Sequence, residues 1–340
     1  MGHVTSVALV APYPNSVAPH TMSDAQKSDL LLVTVTLLAA VSWIFSKEAI
    51  LLMPPLLFMA VRFLIAGGFL AVFAWKPLSR LSRDQIKRGV GVGLVFGVAM
   101  SFWVMGLFHA SSMGEGAFIT SLGVVIVPVI ARLVFKEAQP ASTWFAIPVA
   151  VAGLALLSLR NGFQPEAGQM FFAVAATIFA LYFTLNTRAA NQRTVINRQG
   201  ETIEKHRIPA LPLTAIALLT VGMVTLAESL LMEPWLPTFG TPPPLLIWWV
   251  LASAIVGTAG RFLVQTYAQS LSTHSHGAVI LVLEPVWVSL FAAGWFDETM
   301  TSTQLAGCGL IFAALIVNRW SSLSKTLRAA LRKEKPAKIG

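Results

Sequence analysis

Two ionisable residues, Arg261 and Glu284, lie inside long apolar stretches of the chain. A charge so deep in an apolar segment is costly, and it usually faces a partner or a water-filled cavity. Arg261 lies about nine residues before the end of one stretch, and Glu284 lies about eight residues after the start of the next. In two antiparallel helices these positions have the same depth. The spacing therefore predicts that the two side chains can meet.

Such a pair has two possible roles, and the spacing leaves both open. As a functional pair it lines a cavity, where Arg261 receives a substrate carboxylate or Glu284 carries a coupling proton. As a structural pair it fixes two neighbouring helices to each other.

Aromatic and polar residues away from the ends of the apolar stretches form a second set of candidates. The polar tips of Trp and Tyr need partners, so a hydrated cavity is a natural place for them. Their rings can also contact an apolar, aromatic or cationic solute, although ordinary packing is the alternative for each ring. With the Arg–Glu pair, the candidate substrate-binding residues are Trp43, Trp103, Thr120, Tyr182, Asn186, Arg261, Gln265, Glu284 and Trp287.

Arg62 also lies within an apolar stretch, and a structural role is expected for it. Its long side chain can reach toward the nearest membrane interface, as basic side chains near helix ends do. Alternatively, it can pair with Glu228, which lies near the end of another apolar stretch.

These residues need a scaffold that fits the composition of the chain. Of the 340 residues, 56% are hydrophobic and 11% are charged, and the charged share is about half that of a soluble domain. Water-soluble enzymes and DNA-binding proteins are therefore poor interpretations. A span needs about 20 apolar helical residues, and ten stretches approach this length: 29–49, 55–75, 88–109, 114–135, 143–160, 167–188, 210–232, 245–270, 276–296 and 301–319. The predicted fold is an all-α integral membrane protein with ten transmembrane helices.

The basic residues predict the orientation of these helices. With the N-terminus inside, 20 of the 24 Lys and Arg residues fall on inside segments, as the positive-inside rule requires. Both termini are therefore expected to be cytoplasmic, in a multi-pass protein of the inner (plasma) membrane. The same distribution explains the pI of about 10.1 and argues against a nucleic-acid partner.

Three segments of about 20 residues or more lie outside the predicted spans. Residues 1–28 contain several prolines and are expected to form a disordered N-terminal tail. Residues 189–209 form a basic cytoplasmic linker, and residues 321–340 form a basic cytoplasmic tail. The tail is expected either to contact anionic membrane lipids or to act as a solvated anchor.

An internal repeat relates the two halves of the chain. A shift of 161 residues brings Gly116–Glu137 onto Gly277–Glu298, with nine of 22 positions identical. The copies lie in the fourth and ninth spans, so they cross the membrane in opposite directions, as in transporters with inverted repeats. The predicted first repeat is 29–160, and the second begins with the sixth span at 161–188 and continues over 210–320.

Motifs in both halves resemble a known family. The first half contains Pro54-Pro55 followed by Arg62-Phe63, and then the segment 116–128, which ends at Pro128. The second half contains Leu283-Glu284-Pro285. These motifs resemble the EamA family of the drug/metabolite transporter (DMT) superfamily, ten-helix type, over nearly all of residues 30–320.

The resemblance implies a fold of two inverted five-helix repeats around a central cavity, and the export of small metabolites. Lys136-Glu137 and Asp297-Glu298 stand where many members have Gly-Glu. The hypothesis is a secondary transporter that exports small organic molecules, amino acids or drug-like solutes, by alternating access. Coupling to protons and movement down the solute's own gradient are both open.

The rival hypothesis is an integral-membrane enzyme that acts on lipid or isoprenoid substrates. Such an enzyme needs acids, His or Ser that converge at one interface, and here they are scattered. The sequence has no zinc-protease, nucleophile-elbow or Walker motif. We therefore expect no catalytic residue, no metal and no cofactor. The expected partners are a small-molecule substrate and membrane lipids.

Overall fold

The computed structural model describes residues 24–136, 141–158, 166–196, 202–235, 243–271, 280–281, 283–318 and 320. The predicted basic tail at 321–340 and residues 1–23 lie outside the described residues. Residues 24–28 are helical, so the prediction of disorder is wrong for this part of the segment 1–28. The reason is a tertiary contact, because the buried Ser28 hydroxyl donates to the Ala268 carbonyl at 3.1 Å.

The described residues are almost entirely helical. We number the helices α1 (Asp24–Ile50), α2 (Pro55–Ser79), α3 (Arg83–His109), α4 (Met113–Phe135), α5 (Ala141–Ser158), α6 (Ala167–Ala190), α7 (Ala210–Met232), α8 (Pro244–Leu271), α9 (Leu283–Trp295) and α10 (Ser302–Asn318). In the described part of the chain, seven helices are long and apolar enough to cross a membrane, namely α2, α3, α4, α6, α7, α8 and the Leu30–Ile50 part of α1. The described apolar parts of α5, α9 and α10 are shorter.

Helix α8 changes its winding in the middle. Between its two α-helical segments, Ile255–Gly260 form a π-helical turn, which inserts an extra residue and is often found at functional sites. The Thr258 hydroxyl donates to the Ser253 carbonyl, five residues earlier, at 2.8 Å. Arg261 begins the helical segment that follows this turn.

The linker between the halves contains a short hairpin that the sequence analysis did not predict. Strands β1 (Arg193–Ile196) and β2 (Thr202–Lys205) pair antiparallel. The hairpin lies beside the start of α3, where Lys205 Nζ is 2.8 Å from the Asp84 carboxylate. Arg88 also donates to the His206 carbonyl at 2.7 Å, so the linker is attached to the first half of the bundle.

One face of α3 carries a small residue at every fourth position, at Gly89, Gly93, Gly97 and Ser101. This face packs against α7. A Cβ atom on Gly93 would lie 2.5 Å from the Cβ of Thr220, so the two backbones approach more closely than larger side chains allow. At the end of the face, the Ser101 hydroxyl donates to the Glu228 carboxylate.

At one end of the bundle, charged side chains bind the ends of neighbouring helices. The Glu233 carboxylate accepts two backbone N–H groups at the start of α2, each at 2.8 Å. Glu298 accepts backbone N–H groups at the start of α4, the shortest at 2.8 Å. Lys47 Nζ donates to carbonyls at the end of α3, at 3.1 and 3.3 Å. Each charge complements the dipole of the helix end that it binds, and we call this end of the bundle, defined by Lys47, Glu233 and Glu298, the capped end.

The residues that follow α4 and α9 share an unusual backbone conformation. Lys136 has φ 56° and Asp297 has φ 51°, the only positive values at non-glycine positions in the described residues. The two positions are separated by 161 residues, which is the offset of the sequence repeat. The same left-handed termination therefore occurs at corresponding points of the two halves.

Candidate substrate cavity

A cavity lies between α1, α2, α3, α4, α6, α8 and the start of α9. Its volume is about 130 Å³. On the same measure one water molecule needs roughly 10–15 Å³, so the cavity has space for a small solute. Seven of the nine predicted site residues line its wall: Trp43, Trp103, Thr120, Tyr182, Arg261, Gln265 and Glu284.

The Arg261 guanidinium and the Glu284 carboxylate are in contact within this cavity. The shortest distance between Arg261 Nη2 and a Glu284 oxygen is 3.2 Å. The two side chains are 16% and 20% exposed, so the ion pair is largely screened from solvent. This is the contact expected from their equal depths in antiparallel helices.

Trp43 joins the same ion pair from α1. Its indole Nε1 donates to Glu284 Oε1 at 3.2 Å, so the carboxylate accepts from two helices. The buried Nε of Arg261 has no hydrogen bond among the described residues. The cluster therefore contains a Glu284 carboxylate that accepts from two residues, and an Arg261 N–H group that has no partner in the described part of the chain.

Arg62 also lines the cavity, and neither predicted structural role is correct. The residue is 1% exposed, so its side chain does not reach an interface. Its nitrogens instead donate to the hydroxyls of Ser42, Ser46 and Thr258 and to the carbonyl of Gly257. These hydroxyls and the π-helical turn bind the guanidinium where it stands, while Glu228 is bound to α3.

Aromatic rings form much of the cavity wall. The rings of Trp43 and Trp103 meet edge to face, with their centroids 4.8 Å apart. Tyr182 stacks on Phe96 at 4.0 Å, and Phe262 meets Phe96 at 4.9 Å. Such contacts fix the orientation of the rings and leave an apolar wall beside the three charged groups.

Two predicted site residues do not line the cavity. The Asn186 side-chain amide is buried and donates to Gln269 Oε1 at 2.6 Å, so a contact between α6 and α8 uses it. Trp287 packs against the buried core, and its Nε1 has no hydrogen-bond partner in the described part of the chain. Both residues have the depth expected of a cavity residue, but they occupy other faces of their helices.

A buried carboxylate that was not predicted from the sequence lies outside the cavity. Glu115, in the first turn of α4, accepts from the side-chain amides of Gln169 and Gln304, the latter at 3.0 Å. Glu115 is 4% exposed and joins the starts of α4, α6 and α10. The signal was the position of two glutamines in the first turns of otherwise apolar helices.

The cavity lies mostly between helices that are long and apolar enough to cross a membrane, which is the architecture of a multi-pass membrane protein. Residues 26–159 and 166–320 each match the EamA-like transporter family, and the chain belongs to that family. The two matches cover both halves of the bundle and meet between α5 and α6.

The chain is also similar to individual proteins, two by sequence and one by structure. The chain is 26% identical over 293 residues to a protein of Archaeoglobus fulgidus described as an uncharacterized transporter, covering 85% of each chain. It is 23% identical over 298 residues to a probable amino-acid metabolite efflux pump of Salmonella typhimurium, covering 86% of this chain and 95% of that protein. A solved crystal structure with 21% identity shares the fold at a TM-score of 0.60, over 88% of this chain and 98% of the other.

Proposed function

We propose that the chain is a secondary transporter of the inner (plasma) membrane that exports small organic metabolites, such as amino acids or drug-like solutes. Transport proceeds by alternating access to the cavity between the two halves. The description of the Salmonella relative as an amino-acid metabolite efflux pump supports this direction and this class of solute.

The observation that carries the proposal is the Arg261–Glu284 ion pair in the cavity wall. A largely screened ion pair offers a cation to a carboxylate and an anion to an amino group. The Trp43 indole and the aromatic wall add a surface for the apolar part of a solute. One solute can therefore use the charged groups and the rings together.

Two inverted five-helix repeats, 29–160 and 161–188 with 210–320, explain how such a cavity opens to each side in turn. The two family matches and the left-handed residues Lys136 and Asp297, 161 positions apart, support this arrangement. The positive-inside distribution favours cytoplasmic termini. On this orientation the capped end faces outward, and its bound helix ends close the external path.

The proton role of Glu284 is tested by its replacement with glutamine. In proteoliposomes, Glu284→Gln should lose the dependence of solute flux on pH, because the amide cannot carry a proton. Glu228→Gln is the matched control, since Glu228 is bound to Ser101 on α3 and does not line the cavity. A pH dependence that survives in Glu284→Gln would assign the proton role to another titratable group.

The orientation is tested by labelling introduced cysteines. The native Cys308 is buried, so a membrane-impermeant thiol reagent meets a low background. Ser79→Cys and Gln192→Cys are exposed and should be labelled from the cytoplasmic side, whereas Met232→Cys should be labelled from outside. Labelling of Ser79→Cys and Gln192→Cys from opposite sides would contradict the inverted arrangement.

A further inference from the structure

The cavity carries an excess of positive charge. Among the described residues that line it, the charged side chains are Arg62, Arg261 and Glu284. Arg261 and Glu284 pair at 3.2 Å and neutralise each other. The net charge of one comes from Arg62, a residue that is 1% exposed. Buried charges in apolar surroundings are normally paired, so a lone buried guanidinium calls for a counter-ion.

The partners of Arg62 solvate its charge without neutralising it. Arginine has five N–H donors, and the described contacts use four of them on hydroxyl and carbonyl oxygens. One N–H on Nη1 is left, and no carboxylate lies within ion-pair distance in the described part of the chain. The rings of Phe58 and Phe63, each 5.6 Å from the guanidinium carbon, add only weak cation–π attraction.

The hydroxyl protons around Arg62 identify where an anion can bind. The Ser46 hydroxyl donates to the Ser42 carbonyl at 2.6 Å, and the Thr258 hydroxyl donates to the Ser253 carbonyl at 2.8 Å. The Ser42 hydroxyl accepts from Arg62 at 2.5 Å and donates to no acceptor among the described residues. Ser42 lines the cavity, so a donor polarised by the guanidinium is available there.

We propose that the cavity binds small organic anions, with a carboxylate at the Ser42 hydroxyl and Arg62 as its fixed counter-charge. This inference rests on the proposed transport function and names the class of its solute. The aromatic wall of Trp43, Trp103 and Phe96 selects an apolar body. The expected solutes are therefore monocarboxylates with an aromatic or bulky apolar group. Of the solutes proposed above, the inference therefore selects the anions, because a zwitterion such as an amino acid has no net charge and leaves the positive charge of the cavity uncompensated.

Three ligands with the same ring test the charge preference of the purified full chain. Phenylacetate, phenylacetamide and phenethylammonium carry a charge of minus one, zero and plus one, and L-phenylalanine adds the zwitterion. Ligand-induced thermal stabilisation gives the half-saturating concentration of each, and counterflow into proteoliposomes gives its transport. Phenylacetate should half-saturate at a concentration about tenfold or more below that of each other ligand, because charge-assisted hydrogen bonds are the stronger ones. Equal saturation, or a preference for the amide, the amine or the zwitterion, would overturn the inference.

Variants separate the Ser42 hydroxyl from the Arg62 charge. Ser42→Ala keeps the guanidinium and should raise the half-saturating concentration of phenylacetate about tenfold, with little change for phenylacetamide. The matched control is Thr36→Val, which removes a buried α1 hydroxyl that donates to the Val33 carbonyl of its own helix. Arg62→Lys should keep the preference for the anion. An unchanged preference in Ser42→Ala would contradict the assigned site even if Arg62 variants fail to fold.

The same experiment distinguishes failure of this inference from failure of the proposed function. Counterflow of phenylacetamide, phenethylammonium or phenylalanine without phenylacetate would leave a transporter with a different charge preference. No counterflow of these four ligands, and no export of any metabolite by cells that overproduce the chain, would remove both.

Discussion

Arg62 and Arg261 line the same cavity, yet their surroundings differ. Arg62 is almost fully buried and donates to three hydroxyls and one carbonyl. Arg261 is 16% exposed, and its described hydrogen bonds go to the single carboxylate of Glu284. Hydroxyl groups are neutral, so they bind a charged group without cancelling its electric field. A carboxylate cancels the field, but the pair can separate when a solute supplies other partners.

Arg62 is bound as a permanent charge, whereas Arg261 can exchange its partner. Two different segments hold Arg62, because Ser42 and Ser46 lie on α1 and Thr258 lies on the π-helical turn. Moving Arg62 would break all of these contacts at once. Arg261 has an unsatisfied Nε and a single partner group, so it can rearrange at lower cost. We therefore expect the two residues to respond differently to the same substitution.

The largest expected effect is on stability. Arg62→Gln leaves several buried hydroxyls without their donor and should lower the free energy of unfolding by about 3 kcal/mol or more. Arg261→Gln leaves the Glu284 carboxylate its bond from Trp43 and should lower it by less, about 2 kcal/mol. Denaturant titration in detergent measures both. Equal losses would mean that the two guanidinium groups have the same structural role.

A smaller effect is expected from α8 itself. A Cβ atom on Gly257 would lie 2.6 Å from the Ser42 hydroxyl, whereas one on Gly260 would be no closer than 3.4 Å to its nearest neighbour. Gly257→Ala should therefore displace Ser42 and weaken solute binding several-fold. Gly260→Ala, on the same turn, is the matched control and should bind almost as the wild type does. A ligand-stabilisation curve for each variant decides between these outcomes, and indistinguishable curves would argue against a role of Ser42.

The smallest expected effect concerns the ion pair. Trp43→Phe keeps a ring in the wall but removes the 3.2 Å hydrogen bond to Glu284, so the half-saturating solute concentration should rise about twofold to fivefold. Trp295→Phe removes a similar bond, 2.9 Å from indole Nε1 to Glu48, away from the cavity. The control should leave saturation unchanged. A larger effect in Trp295→Phe would show that the indole bonds act on the fold and not on the site.

Depth along a helix could be predicted from the sequence, because each residue adds a fixed rise. This arithmetic placed Arg261 level with Glu284, and the structure brings them into contact. The orientation of a residue around its helix depends on which neighbour packs there. For this reason Asn186, at a suitable depth, instead binds Gln269 on α8.

Other features were missed because the pattern that carries them is short. Ser42 and Ser46 lie one turn apart on α1 and form a polar face for a buried cation, but two serines in an apolar helix give a weak signal. Lys136 and Asp297 adopt a left-handed conformation that glycine takes without strain. Many members of the similar family have Gly-Glu at these positions, and the positive φ explains that preference.

The contacts at the capped end have a consequence for how this chain can vary. Glu233 and Glu298 bind main-chain N–H groups of the helices opposite them, which every residue except proline presents. The side chains at these helix starts are therefore free to change over time, and each contact depends on the identity of only one residue, the acid. A search for coupled substitutions across these contacts should find few, although the acids themselves are required.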